Sequence, residues 1–384
     1  MTIQWPEGID ESRFLAEYWQ QKPLLIKSAF ENFQNPIDPN ELAGISCEDD
    51  ANSRFIEHTG NNEWRMCAGP LDNGFFDDVT GNQWSLLVSD VEKLLPEFGS
   101  YLEPFRFLPD WRIDDLMISY APVGGSVGAH VDQYDVFLLQ ADGVREWQIE
   151  NTPRHGVQPS ISNAIALLGD FVADETWQLH PGDMLYLPPQ YAHHGIAKDE
   201  PCMTWSIGFR APSIDEMLPD ISNYLLDSAQ SDNRFSDASR SATDKPGLIS
   251  SEDMQSLRHM LKQCLQKDDD LLDQWIGRFL TEPKESADRE NSVESNTDLY
   301  NGTIACDLKL NSQKRVAYTI NSNGATLFAD GKAYFCSESF AQMICNQRIC
   351  TADTIAAITD SDQKVLHSLI QQQVVLPEHD DQPD

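Results

Sequence analysis

Three residues in this sequence have the types and spacing of a metal centre. His130 and Asp132 flank Val131 in GAHVDQYDVFLLQ, and His193 closes the stretch HPGDMLYLPPQYAHHG. On an extended strand, residues two apart face the same side, so His130 and Asp132 can converge on one point. Pro188-Pro189 makes a rigid turn after a strand and delivers a third ligand from a distant part of the chain. The other claimant to that place is His194. Neighbours on an extended chain point opposite ways, so only one of the two faces a metal easily, and His193 is favoured. Two histidines and one carboxylate leave adjacent positions open on the ion, which is the ligand set of non-haem Fe(II) oxygenases.

A second feature belongs with the first. Arg145 lies one strand beyond the His-Asp pair, across a turn expected at Ala141–Gly143. A guanidinium there can grip a carboxylate with two parallel hydrogen bonds. A 2-oxo acid chelating iron through its keto and carboxylate oxygens needs such an anchor at its far end. The loop APVGGSVGAH just before His130 is rich in glycine, which allows backbone and co-substrate to approach closely.

These residues must be positioned by short strands. After Asp110 the segments IDDLMISYAP, VFLLQ, EWQIE, DMLYLPP and MTWSIGF are apolar runs bounded by Gly, Pro and Asp, as in a sandwich or barrel. Ahead of them, Phe14, Leu15, Tyr18 and Trp19 share a helical face, Pro23 precedes a short strand LLIK, and Leu87, Val88, Val91 and Leu94 suggest a second helix from about Trp84 to Leu95. Near Pro212 the pattern changes. Ser213 with Glu216 forms a capping box before an apolar helical stripe interrupted by Pro219. Two further stripes follow, Met254 to Leu265 and Leu271 to Leu280, and such faces must be covered by each other or by a second copy of the chain. PKESADRENSVESNTD is charged and lacks large apolar residues, which suits a linker. Beyond it, short strands around an Asp330-Gly331 hairpin turn, two helices and a closing strand describe a small α+β unit of winged-helix type.

Bulk properties set limits. A chain of 384 residues exceeds one ordinary core. The first residues carry no basic start or apolar core of a secretory signal, and no apolar run of about 18 residues is present, so a cytoplasmic protein with no membrane span is expected. The eight cysteines form no CxxC pair, as expected of reduced thiols. The net charge of −35 repels nucleic acid and anionic lipid. It would attract a basic polypeptide, and it equally suits solubility or salt adaptation.

The His-Asp pair, the arginine on the next strand, HPGDMLYLPP and the opening FLAEYWQQKPLLIK together resemble the JmjC oxygenases, and within them the bacterial ribosomal oxygenases, arginine hydroxylases of a large-subunit ribosomal protein. DWRIDDLMIS, DQYDVF and SIGFRAP carry the same resemblance, which is strong over about residues 10–212. It implies an α+β chain built on a double-stranded β-helix of the cupin/JmjC kind. The oxygenase domain would occupy residues 1–212, a helical dimerisation region 213–283, a linker 284–300 and a winged-helix-like domain 301–384. It implies Fe(II) held by His130, Asp132 and His193, with 2-oxoglutarate and O2 as co-substrates. Arg145 would bind the 2-oxoglutarate C5 carboxylate. Most JmjC enzymes place a lysine at the position of Arg145, so the arginine fits the bacterial branch and argues against a histone demethylase.

Alternation suggests the pocket. Asp115, Met117 and Ser119 share one strand face, Tyr134 shares the face of the ligands, and Ser206 lies on the strand returning after His193. Met117 and Tyr134 could line the stem of a long cationic side chain, and Asp115 could pair a guanidinium. The expected activity is hydroxylation of the β-carbon of an arginine in a basic ribosomal protein, by a homodimer that binds no nucleic acid. Two readings compete: a hydroxylase or demethylase of another residue, told apart by product mass, and a cupin-like scaffold that binds metal without turnover and would make no succinate.

Overall fold

The apolar runs beyond Asp110 fold as strands and form two antiparallel sheets that face each other. The computed structural model describes residues 1–60, 63–156, 167–227, 234–236, 238, 249–265, 269–283, 306–347 and 349–378. Its contacts divide the chain into two compact units, Met1–Ala211 and Pro212–Asp384. The expected linker at 284–300 lies outside the described residues, as does most of the polar stretch after Asp227.

The first unit runs α1 (Glu11–Glu17), β1 (Leu24–Ile26), α2 (Pro39–Ile45), β2 (Asn52–Gly60), β3 (Glu63–Ala68), β4 (Trp84–Ser89), α3 (Val91–Leu94), β5 (Ile113–Ala121), β6 (Asp135–Asp142), β7 (Arg145–Ile149), β8 (Glu175–Leu179), β9 (Met184–Leu187), β10 (His193–Ala197) and β11 (Cys202–Phe209). Eight strands form one sheet in the order β1-β9-β6-β11-β5-β4-β2-β3, and β10-β7-β8 form the other. Their facing surfaces meet through Val136, Leu138, Trp147, Ile149, Leu179, Leu185 and Leu187. This is the double-stranded barrel expected.

Because strand side chains alternate, the opposite face of the large sheet is equally apolar. Phe137, Leu139, Tyr186, Trp205, Ile207 and Phe209 pack there against Phe14 of α1 and Leu42 of α2, forming the larger core. Both small helices begin at an aspartate: Asp10 accepts the Arg13 N–H at 2.8 Å, and Asp38 forms a full capping box with Glu41.

The helix expected from Trp84 to Leu95 is instead a strand followed by a single turn. Leu86, Leu87 and Val88 lie inside the sheet between β5 and β2 and are buried on both faces. A doubly buried strand reads as a continuous apolar run, and its spacing there coincides with a helical stripe. The β2–β3 hairpin was absent from the sequence reading, since Arg54, Glu57 and His58 break its alternation.

The second unit runs α4 (Ile214–Asp227), α5 (Ser251–Leu265), α6 (Asp269–Thr281), β12 (Leu308–Leu310), β13 (Val316–Asn321), β14 (Gly324–Ala329), β15 (Lys332–Cys336), α7 (Glu338–Asn346), β16 (Ile349–Cys350), α8 (Ala352–Ala356), α9 (Asp360–Gln371) and β17 (Val375–Pro377). The Ser213–Glu216 capping box closes in both directions, at 2.9 and 3.2 Å. Asp330 and Gly331 turn the β14–β15 hairpin with φ of 45° and 71°. Trp275 of α6 is buried with Ile221 and Leu225 of α4. On another side of α6, Gly277 meets Phe328 of β14 so closely that a Cβ there would lie 2.3 Å from the ring. Trp275 of the α6 stripe is thus covered within the unit, while Ile276 on α6 and Met254, Leu257 and Leu261 on α5 stay exposed.

Candidate metal centre

His130 and Asp132 do not lie on a regular strand, a departure from the sequence expectation. They occupy an extended segment just before β6, tied to the start of β10 by one antiparallel bridge between His130 and His193. Each residue's N–H donates to the other's carbonyl at 3.0 Å, and the Gln190 N–H donates to the Asp132 carbonyl at 2.7 Å. Extended geometry is what the alternation argument needs, and these bonds supply it without a strand.

The bridge brings one donor atom from each of His130, Asp132 and His193 within 4.8 Å of the others. Asp132 Oδ1 stands 3.9 Å from His130 Nε2, and Oδ2 stands 3.6 Å from His193 Nε2. The two rings lie 4.3 Å apart, centroid to centroid. Each imidazole has a backbone partner at its other nitrogen: His130 Nδ1 is 2.9 Å from the Gly128 carbonyl, and His193 Nδ1 is 2.9 Å from the Tyr191 carbonyl. A carbonyl only accepts, so Nδ1 carries the proton and Nε2 keeps its lone pair for a metal. Burial, with His130 alongside, pulls His193 down to about 4, so its ring is neutral as ligation requires. His194 lies outside this cluster, pairs with Gln148 across β7 and sits beside Phe171.

Arg145 is 3% exposed, yet its Nε and Nη2 have no partner among the described residues. Its guanidinium lies 5.8 Å from the Trp147 ring, and Trp147 in turn lies 5.7 Å from the His193 ring. Buried donors without acceptors are costly, and a carboxylate would satisfy both. The donor set and this unsatisfied cation therefore fit a metal with a dicarboxylate beside it.

Of the expected pocket residues, Asp115, Met117 and Ser206 share one sheet face, and Tyr134 stands just before β6. Met117 pairs with Ser206 across β5 and β11, and Asp115 pairs with Gly208. A Cβ built on Gly208 would lie 3.2 Å from Asp115 Oδ1 and 3.9 Å from Tyr134 Cε2, so this glycine keeps space between acid and phenol. Tyr134 stands at the rim, 42% exposed. The Asp132 charge, with that of Asp115, raises its phenol above the usual range. Tyr134 thus lies under the influence of both the ligand carboxylate and the pocket acid.

Sequence reasoning missed three residues here. Gly208 could have been found two places after Ser206 on the same face. Arg54 reaches Met117, its Nη2 at 3.5 Å from Sδ, from the unforeseen hairpin. Glu92 is buried behind the pocket, accepting the Leu116 N–H at 3.0 Å, and no motif marks it.

Comparison with known proteins agrees with this geometry. A JmjC domain matches residues 100–217. Over 291 residues the chain is 35% identical to ribosomal protein uL16 3-hydroxylase of Escherichia coli (strain K12), covering 75% of this chain and 74% of that protein. The structure of a ribosomal oxygenase from Escherichia coli matches with a TM-score of 0.79 at 30% identity, over 99% of this chain and all (100%) of that one. The same oxygenase in complex with cobalt and 2-oxoglutarate matches with a TM-score of 0.79 at 28% identity, over 98% of this chain and 99% of that one. The chain belongs to the JmjC-domain ribosomal oxygenases, which are 2-oxoglutarate-dependent dioxygenases.

Proposed function

We propose that this protein hydroxylates the β-carbon of an arginine in a large-subunit ribosomal protein, with Fe(II) held by His130, Asp132 and His193. The observation that carries this reading is the convergence of the three donors beside a buried arginine whose Nε and Nη2 have no acceptor among the described residues. The relative named for 3-hydroxylation of uL16 supports the substrate class. Iron bound there with 2-oxoglutarate supplies the oxidising chemistry: one atom of O2 enters a C–H bond, the other enters succinate, and CO2 leaves.

The protein's own part is placement. Arg145 takes the C5 carboxylate of 2-oxoglutarate in two charge-assisted hydrogen bonds. Trp147, packed between Arg145 and His193, keeps water from that bond. Met117 and Tyr134 flank the methylene stem of the substrate arginine, Ser206 lines the pocket beside Met117, and Asp115 receives the guanidinium. A basic ribosomal protein is the partner that a chain of charge −35 would attract, whereas nucleic acid and membrane surfaces would be repelled. No described helix is long and apolar enough to cross a membrane. A cytoplasmic homodimer, joined through the helical region 213–283, completes the reading.

The test is intact-mass analysis of ribosomal proteins from cells with and without the gene. One large-subunit protein should lose the mass of a single oxygen atom when the gene is removed, and fragmentation should put it on an arginine. A gain of one methylene mass on removal of the gene would instead mean demethylation. No mass change, together with no succinate from iron, 2-oxoglutarate and a basic peptide, would leave only a binding scaffold.

A further inference from the structure

The two ligand-bearing segments meet through the His130–His193 bridge and the Gln190–Asp132 backbone bond, and so short a pairing between extended segments opens easily. Something else must hold their spacing. The turn after α1 touches both. Gln20 adopts a left-handed conformation, φ 58°. Its Nε2 donates to Asp135 Oδ2 at 2.9 Å, and its N–H donates to the Tyr186 hydroxyl at 2.7 Å. That hydroxyl donates in turn to Asp135 Oδ1 at 2.6 Å, and Arg112 Nη2 donates to Oδ2 at 3.2 Å. Asp135 is fully buried and stands three residues after Asp132. On the other arm, the Tyr191 hydroxyl donates to the Gln21 carbonyl at 2.7 Å. The Tyr191 carbonyl is the one that accepts His193 Nδ1–H at 2.9 Å.

We infer that the Gln20–Gln21 turn is a brace that sets the spacing of the metal ligands, with Tyr191 as a positioning residue acting through His193. One neighbouring pair of residues grips the segment of Asp132 at Asp135 and the segment of His193 at Tyr191. The stacking of Trp19 on Tyr186 at 5.6 Å, and of Arg112 over Trp19 at 5.4 Å, fixes the turn itself. A carbonyl that orients a ligand histidine sets that ligand's aim, and residues anchoring such a carbonyl act one step further out. The inference rests on metal ligation by His130, Asp132 and His193, and not on the identity of the substrate.

The test is Co(II) binding to the full chain, read by visible absorption, in Tyr191→Phe, which keeps the ring and removes only the hydroxyl. Changes in ligands' outer partners typically cost about 10- to 100-fold in metal affinity, so a residue one step beyond should cost roughly three- to tenfold. Tyr120→Phe is the control, because it removes a Tyr120–Glu200 hydrogen bond of 2.8 Å away from the ligand segments. Weaker Co(II) binding in Tyr191→Phe alone, with faster amide exchange at His193 in the metal-free protein, is the expected result. Unchanged affinity, or equal loss in both variants, would overturn the brace. Should Tyr191→Phe fail to fold, Gln20→Asn, which tolerates the left-handed turn and shortens the reach to Asp135, decides by the same measurement. Absence of Co(II) binding in the unaltered chain would instead remove the ligation reading itself.

Discussion

His130 and His193 exchange both backbone hydrogen bonds, at 3.0 Å in each direction, and so form a one-pair antiparallel bridge between the segment before β6 and the first residue of β10. A reciprocal pair fixes two backbones in register and puts both side chains on the same side. The imidazoles therefore reach the same point as the Asp132 carboxylate from segments more than fifty positions apart in the sequence. His194, the next residue, is turned away by the same pairing.

Removing any one of the three donors is expected to abolish turnover and Co(II) binding. His130→Ala, Asp132→Ala and His193→Ala should all fall to background, while His194→Ala should keep both. Metal-dependent succinate release and Co(II) absorption measure this directly. Full activity in His193→Ala would move the third ligand elsewhere.

Arg145→Ala is expected to raise the KM for 2-oxoglutarate by roughly two orders of magnitude, the loss of a charge-assisted pair worth about 1.5–3 kcal/mol or more. Co(II) binding should survive, since Arg145 is no metal ligand. Arg145→Lys should recover part of the loss, because a point charge remains but the planar fork does not. An unchanged KM would mean that another group holds the co-substrate.

The metal donors were legible because their signal is local: a two-residue period before an apolar strand, and a Pro-Pro turn before paired histidines. Extended backbone gives the same alternation whether or not a strand is present, so the mistaken assignment of His130 and Asp132 to a strand did no harm to their convergence. Trp84–Leu95 failed for the opposite reason. Leu87, Val88, Val91 and Leu94 match a helical period, and only the neighbouring strands β5 and β2 reveal that Leu87 and Val88 are buried in a sheet. The partners of Gln21 and Gln20 were out of reach altogether. Tyr191 bonds the Gln21 carbonyl from 170 residues away, and no short-range pattern encodes that contact.

Glu92 should make stability fall as pH rises. Burial pushes its carboxyl up to about 7, against the Leu116 N–H and Lys93, with Asp115 and Asp90 adding to the rise. The folded state then binds the proton more tightly than the unfolded chain does. Stability on this account is greatest below the ordinary carboxyl pKa of about 4.3 and declines until pH passes 7. Glu92→Gln retains an acceptor for the Leu116 N–H and cannot ionise. It should remove up to about 3 kcal/mol of that decline, and raise Tm more at pH 8 than at pH 5. A variant with the unaltered pH profile of Tm would show that Glu92 ionises without cost in the fold.

Apolar residues on α4 and α5 are expected to join two copies of the chain. Leu218 and Leu226 are 53% and 71% exposed, and Leu257 and Leu261 are 42% and 69% exposed. On α6, Trp275 is covered by α4 and Gly277 meets β14, so most of the exposed apolar area lies on α4 and α5. Light scattering at micromolar concentration should give twice the chain mass, and Leu257→Glu with Leu261→Glu should give one. A monomer in the unaltered protein would count against a dimer built here.

In the proposed reading Asp115 and the net charge of −35 both favour a basic substrate, but at different ranges, and salt separates them. The global charge acts by long-range steering, so binding of a whole basic ribosomal protein should weaken as ionic strength shortens the Debye length below about 8–10 Å. Asp115 would act in contact. Its Oδ2 accepts the Asp90 N–H at 3.4 Å, and a Cβ on Gly208 would come within 3.2 Å of its Oδ1. A hydrogen bond between charged groups contributes about 1.5–3 kcal/mol, or roughly ten- to more than a hundredfold in kcat/KM. Asp115→Asn should therefore cost that factor on a short arginine peptide, and the ratio to the unaltered enzyme should hardly move with salt. The 2-oxoglutarate KM, which the proposed reading assigns to Arg145, should stay the same. Loss of Co(II) affinity in Asp115→Asn would make this residue a support of the metal site and not a reader of substrate. Full activity on the peptide would show that another acid receives the guanidinium, and Asp114, the preceding residue on β5, would be the first to substitute.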